Sequence, residues 1–253
     1  MRITFLGTGT SQGIPVIGSN HPVCHSKDSK DRRLRVSIHV EWHGKSFVVD
    51  CGPDFRQQML SADIQKIDAL LITHEHADHV AGLDDIRPYC FKQGPLPLYT
   101  IKRVIDNLKV RFGYIFKTEG RYPGVPSLIT RIIDKEPFQV LGLNIVPIEV
   151  DHNQLNVVGF RFGDFAYITD AKRIPKESEK KLKGVKTLVV NALRHEPHHS
   201  HFSLTDALEF IEKIVPEKAY LTHISHHLGL HEQVQNTLPR NIYLAYDGLV
   251  LDL

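Results

Sequence analysis

The chain has 253 residues, 42% of them hydrophobic and 24% charged, enough to bury a full core within one unit spanning residues 1–253. Lys and Arg outnumber Asp and Glu by only 31 to 29, which gives no global pull toward nucleic acid or an acidic membrane, so charge on a substrate must be met locally. Cys24, Cys51 and Cys90 are too few and too scattered for a disulfide framework, no secretory h-region is present, and no apolar run approaches a membrane span, all of which fits the cytoplasm.

In chain order, a strand over Arg2–Leu6 leads into the Gly-rich stretch Gly7-Thr8-Gly9-Thr10-Ser11-Gln12-Gly13. Its amides either meet an anion or let the chain turn. The basic run from Lys27 to Arg35 is a solvated loop or a steering patch for an anionic substrate. Alternation over Ser37–Trp42, a turn at His43-Gly44-Lys45 and a second run over Ser46–Asp50 predict a hairpin. Helices are expected at Asp54–Ser61, after His79, at Ile101–Phe112, at Lys176–Leu182 and at Ser203–Ile214, where Ser203-x-x-Asp206 offers an N-cap. Strand-like apolar segments precede Asp151-His152, Asp170 and His223. The Gly/Pro-rich segment Phe112–Ser127 reads as a mobile lid or an ordinary surface connection.

Sixteen histidines make His the compositional outlier, and the densest cluster is His74-Glu75-His76-Ala77-Asp78-His79, directly after the apolar run Ala69–Thr73. Imidazole plus carboxylate suits Zn, Mn or Fe, and a site without Cys favours the open, catalytic kind of zinc centre over the closed structural kind. The alternative is a polar loop of solvated histidines.

The spacing of this hexad resembles the metallo-β-lactamase superfamily. That resemblance implies an α/β fold, a four-layer αββα sandwich, with metals at the edge where loops converge. It implies two divalent ions, Zn or Mn: His74, His76 and His152 for the first, Asp78, His79 and His223 for the second, and Asp170 bridging both. The segment Asp50-Cys51-Gly52-Pro53-Asp54-Phe55-Arg56, taken with the Gly-rich start, is similar to the branch that holds cyclic phosphodiesterases of phosphonate metabolism, tRNA 3′-processing endonucleases and a quinone-cofactor biosynthesis protein. His199-Ser200-His201-Phe202-Ser203 and Leu221-Thr222-His223-Ile224-Ser225-His226 match the cyclic phosphodiesterases. The match implies that His201 and Asp78 serve catalysis, with His201 contacting phosphate or protonating the leaving oxygen. Arg56 and Arg87 are phosphate candidates, because a guanidinium pairs two oxygens at once.

The chain departs from that family at its structural zinc, which three cysteines and a His hold. Two of the Cys positions are Ser19 and His21 here, leaving Cys24 with His226, so a further structural Zn on His21, Cys24 and His226 is an open expectation. The expected substrate is a small or cyclic phosphodiester. RNA is the weaker expectation, no membrane is involved, and a homodimer is possible in this branch. Thioester hydrolysis, an oxidative role and a metal-binding module without turnover stand as rivals.

Overall fold

The computed structural model describes residues 1–117 and 119–253. Among these residues the chain forms two seven-stranded sheets. The first contains β1 (Arg2–Gly7), β2 (Ser37–Trp42), β3 (Lys45–Val49), β4 (Ala69–Leu71), β5 (Leu96–Thr100), β6 (Leu128–Ile132) and β14 (Val250–Asp252), in the order β14-β1-β2-β3-β4-β5-β6. The second contains β7 (Phe138–Val140), β8 (Leu143–His152), β9 (Leu155–Phe162), β10 (Phe165–Tyr167), β11 (Thr187–Asn191), β12 (Lys218–Thr222) and β13 (Ile242–Leu244), in the order β13-β12-β11-β10-β9-β8-β7. Helices α1 (Phe55–Ser61), α2 (Ala77–Val80), α3 (Arg87–Gln93), α4 (Lys102–Arg111) and α5 (Gly113–Phe116) accompany the first sheet, and α6 (Lys176–Lys181), α7 (Leu204–Ile214) and α8 (His231–Gln235) the second.

Side-chain parity explains the layers, because successive residues of a strand face opposite sides of its sheet. In β3 and β4, Val48 and Leu70 pack with Phe55, Ile86 and Leu108 from the helices. Their neighbours Phe47, Val49, Ala69 and Leu71 instead meet Phe160, Tyr167 and Val189 of the other sheet. In β11, Val189 points to that shared core while Leu188 and Val190 pack under Ala207, Phe210 and Ile211 of α7. Three apolar layers separate helix, sheet, sheet and helix, which is the expected four-layer α/β sandwich.

The hairpin closes with a two-residue turn at His43-Gly44, both at positive φ (46° and 71°), the primed geometry that matches strand twist. Ser203 caps α7 and Asp206 returns the bond to the Ser203 amide, completing the anticipated capping box. The helix expected after His79 instead starts within the hexad, at Ala77, and ends at Val80. His152 is the last residue of β8. The lid expected over Phe112–Ser127 includes Thr118, outside the described residues; its first part forms α5. Arg33 and Arg35 are not solvated steering charges. Arg33 is buried and donates to Thr8 Oγ1 and the Ala245 carbonyl, and Arg35 pairs with Asp54 at 2.9 Å.

Strands β3, β4, β5 and β6 run parallel, as do β10 through β13. Their carboxyl ends open on one edge of the sandwich, where open α/β sheets bind ligands. Asp50 follows β3, the hexad follows β4, Asp170 follows β10 and His223 follows β12.

Candidate metal centre

Each element delivers its donor through a particular local geometry. Asp50, Asp170 and His223 all adopt left-handed backbone at φ 66°, 58° and 54°, a conformation that costs about 1–3 kcal/mol in a residue with a Cβ. Strain of this kind lets the chain leave a strand and turn its side chain over the sheet edge at once. Asn191 braces the Asp170 turn by donating to the Ala171 carbonyl at 3.1 Å and accepting from the Ala171 amide at 2.6 Å. The Gly-rich start serves as a brace as well: the amides of Gly9, Thr10, Gly13 and Ile14 bond to backbone carbonyls, and Ile224 donates to Thr8. Those four amides are committed to the chain, which is the turn reading of this stretch. Gly52 permits a close approach to the hexad, since a Cβ there would lie 2.1 Å from the Asp78 carbonyl.

The side chains then converge in four overlapping groups whose donor atoms lie within 4.8 Å of one another. These are His74, His76 and His152; Asp78, His79 and His223; His74, His79 and Asp170; and His152, Asp170 and His201. Asp170 thus shares a group with members of both predicted ligand sets. His74 Nε2 lies 3.0 Å from His76 Nδ1, His79 Nε2 lies 3.3 Å from both Asp78 and Asp170, and His223 Nε2 lies 3.2 Å from Asp170 and 3.6 Å from Asp78.

Whether these residues fit a metal is decided by their orphaned nitrogens. The Nε2 atoms of His79 and His223 are buried and lack a hydrogen-bond partner among the described residues, although carboxylate oxygens stand close. Two ligands each about 2.0–2.1 Å from one ion at a tetrahedral angle sit about 3.3 Å apart. The observed spacings are those of atoms that share a cation.

Three of the other ring nitrogens are held from behind, as suits ligating histidines, while His223 Nδ1 is buried without a partner among the described residues. His79 Nδ1 meets Asp50 Oδ2 at 2.7 Å, His74 Nδ1 meets Thr73 Oγ1 at 3.0 Å, and His152 Nδ1 donates to the Ser200 carbonyl at 2.7 Å. Thr73 in turn donates to Asp50 through its amide and hydroxyl. Electrostatics agree. Burial would raise the Asp78 and Asp170 carboxyls, but the facing imidazoles of His79 and His223 outweigh it and hold both well below the usual range. Burial would lower His79, yet Asp78, Asp170 and Asp50 hold it well above its ordinary value. Three carboxylates around one imidazole demand a cation, and a proton and a metal compete for that role. Burial pulls His74 far down, leaving it neutral as a ligand must be.

His201 sits between the groups, its Nε2 2.9 Å from Asp170 and its ring 4.6 Å from His152 and 4.8 Å from His223. Beside it a cleft of about 350 Å3 is lined by His76, His152, Asn153, Gln154, Leu155, His199 and Ser200. Neither Arg56 nor Arg87 lines this cleft. Arg56 is exposed on α1, and Arg87 is paired with Asp84 at 2.5 Å, so its charge is met within its own turn. His21, Cys24 and His226 form no three-ligand group among the described residues, although the His21 and His226 rings lie 5.0 Å apart. Cys24 Sγ instead accepts from the Val16 amide.

A model described as beta-lactamase superfamily domain matches residues 45–224. The chain belongs to this superfamily. A solved structure described as a new diphosphatase from the PhnP family superposes with a TM-score of 0.93 at 40% identity, covering 100% of this chain and 97% of that one. An octanoyltransferase of Porphyromonas gingivalis is 40% identical over 252 residues, covering 98% of this chain but 51% of that protein. A ribonuclease Z of Methanococcus maripaludis is 36% identical over 153 residues, covering 57% of this chain and 42% of the relative. The chain spans about half the length of the curated relatives it matches. The fold and its clustered donors are those that a metal-dependent hydrolase domain of this superfamily requires. Among the described residues no helix is long and apolar enough to cross a membrane.

Proposed function

We propose that the chain hydrolyses a small phosphodiester at a centre of two divalent ions, Zn or Mn. The observation that carries this reading is Asp170, whose carboxylate lies within reach of donors from both sets, so that one residue can join two ions. His74 Nε2, His76 Nδ1 and His152 Nε2 would hold the first, Asp78, His79 Nε2 and His223 Nε2 the second. When bound, such a pair makes a nucleophile from water near neutral pH and neutralises a phosphoryl oxygen.

The chain's own residues supply the rest. The cleft of about 350 Å3 against His76 and His152 suits a small ester better than a folded RNA. Burial pulls His201 down to about 4, so near pH 7 its ring is neutral and its one N–H, on Nε2, faces Asp170 at 2.9 Å, from where it would turn to developing negative charge on a substrate bound beside that carboxylate. Similarity to a diphosphatase supports phosphorus chemistry, as does similarity to a ribonuclease Z.

Metal-loaded protein is expected to cleave bis(p-nitrophenyl) phosphate, His74→Ala to abolish that cleavage, and His201→Ala to lower it by about 100-fold. Loaded protein that leaves this ester intact while cleaving a thioester would sink the reading. Cleavage of a precursor tRNA at its 3′ end, in preference to small esters, would replace it with the ribonuclease Z one.

A further inference from the structure

The two ligand-bearing halves of the first metal group come from different sheets. His74 and His76 follow β4 of the first sheet, whereas His152 ends β8 of the second. Some device must hold these pieces in register to within a few tenths of an ångström, because ligand geometry tolerates little more.

We propose that Arg103 of α4 is that device, a positioning residue for the first ion. One nitrogen of its guanidinium, Nη1, donates to the carboxylate of Glu75, which lies between the ligands His74 and His76. The other, Nη2, donates at 2.5 Å to the carbonyl of Asn156, which pairs across the β8–β9 hairpin with Asp151, the residue before His152. One planar fork therefore grips both ligand segments of one metal and neither of the other's, since Asp78 and His79 lie in α2 and His223 follows β12. Arg111, two turns along α4, adds a bond at 2.5 Å from Nη1 to the Glu75 carbonyl, so one helix face clasps the residue from its side chain and its backbone. Glu75 is 13% exposed and Arg103 37%, so the pair is half-buried and less screened than one between two fully exposed side chains. Glu75 belongs to none of the ligand groups; it is the handle by which the helix holds the loop. The fork geometry also explains why Arg serves where Lys would not: a single ammonium cannot hold two acceptors in a fixed relative position.

The inference rests on the two-metal reading, and its test separates the two. Metal-free protein is titrated with Zn2+ against a chromophoric chelator, with urea unfolding of the metal-free forms as a fold control. Wild type is expected to take up two ions. Arg103→Ala should weaken one of them by about 10- to 100-fold and leave the other unchanged, with Arg103→Lys intermediate. With Co2+ in place of Zn2+, the visible absorption of one site should shift in the Ala variant and be partly restored in the Lys variant. Wild-type affinity for both ions in Arg103→Ala, or equal weakening of both, overturns the positioning role. Should the Ala variant fail to fold, wild-type affinity in Arg103→Lys overturns it as well. Wild type that binds fewer than two ions instead removes the two-metal reading, and this one with it.

Discussion

Asp50 illustrates how a single buried carboxylate can govern a centre it does not join. It accepts from the Thr73 amide and hydroxyl and sits 2.7 Å from His79 Nδ1, which fixes the ring so that Nε2 faces Asp78 and Asp170. Asp50→Asn keeps the shape and removes the charge. The second ion should bind about 10- to 100-fold more weakly in this variant, read by chelator competition, with the first ion unaffected. Unchanged binding of both ions would show that ring orientation needs only packing. A different buried histidine should shape stability. His231 Nδ1 lies 3.1 Å from Arg33 Nη2, and Arg can only donate, so that nitrogen must stay unprotonated. Burial, then the charges of Arg33 and Lys30, pull His231 down to about 4 from an ordinary value of 6.5. A depressed value means stability that is fully present above about 6.5 and lost as the pH falls through 4, on the order of 1–2 kcal/mol after solvent screening. His231→Gln keeps an acceptor that cannot titrate. Its urea midpoint should therefore fall less than that of wild type between pH 7 and pH 4.5, and parallel slopes would refute the assignment.

At the scale of elements, the centre depends on how closely the turn after β3 packs under α2. Cys51 donates to the His79 carbonyl, Gly82 donates to the Cys51 carbonyl, and Gly52 leaves no room for a Cβ against Asp78. Gly52→Ala must push α2 outward, since backbone atoms cannot yield as a flexible side chain can. Thermal melts should show a loss of about 1–3 kcal/mol, and metal analysis should show depletion of the ion held by Asp78, His79 and His223. Full metal content at wild-type stability would mean that the turn relaxes freely. The same packing explains what was legible in the chain. Strands and helices announce themselves through periodicity, and His74 through His79 through donor density, because those signals are local. Asp50 carried no such signal: its role comes from a left-handed turn that aims it at a ring 29 positions away. Arg56 and Arg87 are anion candidates by guanidinium chemistry and sequence proximity to the motif, but neither signal shows that Asp84, three residues before Arg87, pairs with it or that the cleft is lined by other residues. Arg103 was invisible for the converse reason, being 28 residues from Glu75 and 53 from Asn156.

Across the whole molecule, the proposed ligands divide between the two sheets. His74, His76, Asp78 and His79 follow β4, while His152, Asp170 and His223 lie at the ends of β8, β10 and β12. Besides the apolar layer between the sheets, hydrogen bonds cross the edge they share, among them those from the Val158 amide to the Thr73 carbonyl and from the Ile224 amide to the Thr8 carbonyl. An ion with ligands from both sides is then a cross-link as well as a reagent. An ion that binds only the folded chain adds about 2.7 kcal/mol at a free concentration about 100 times its Kd. For a chain of this size that corresponds to about 5–10 °C in melting temperature. Removing metal with a chelator should lower the melting temperature by about that much for each ion lost, and adding Zn2+ back should restore it. The effect should shrink when one donor from either sheet is removed, and His152→Ala and His74→Ala should resemble each other in this respect despite lying on opposite halves. A chelated protein that melts where the loaded one does would mean that the sandwich holds its edge closed without help, and that the strained turns at Asp170 and His223 are stabilised by the chain alone.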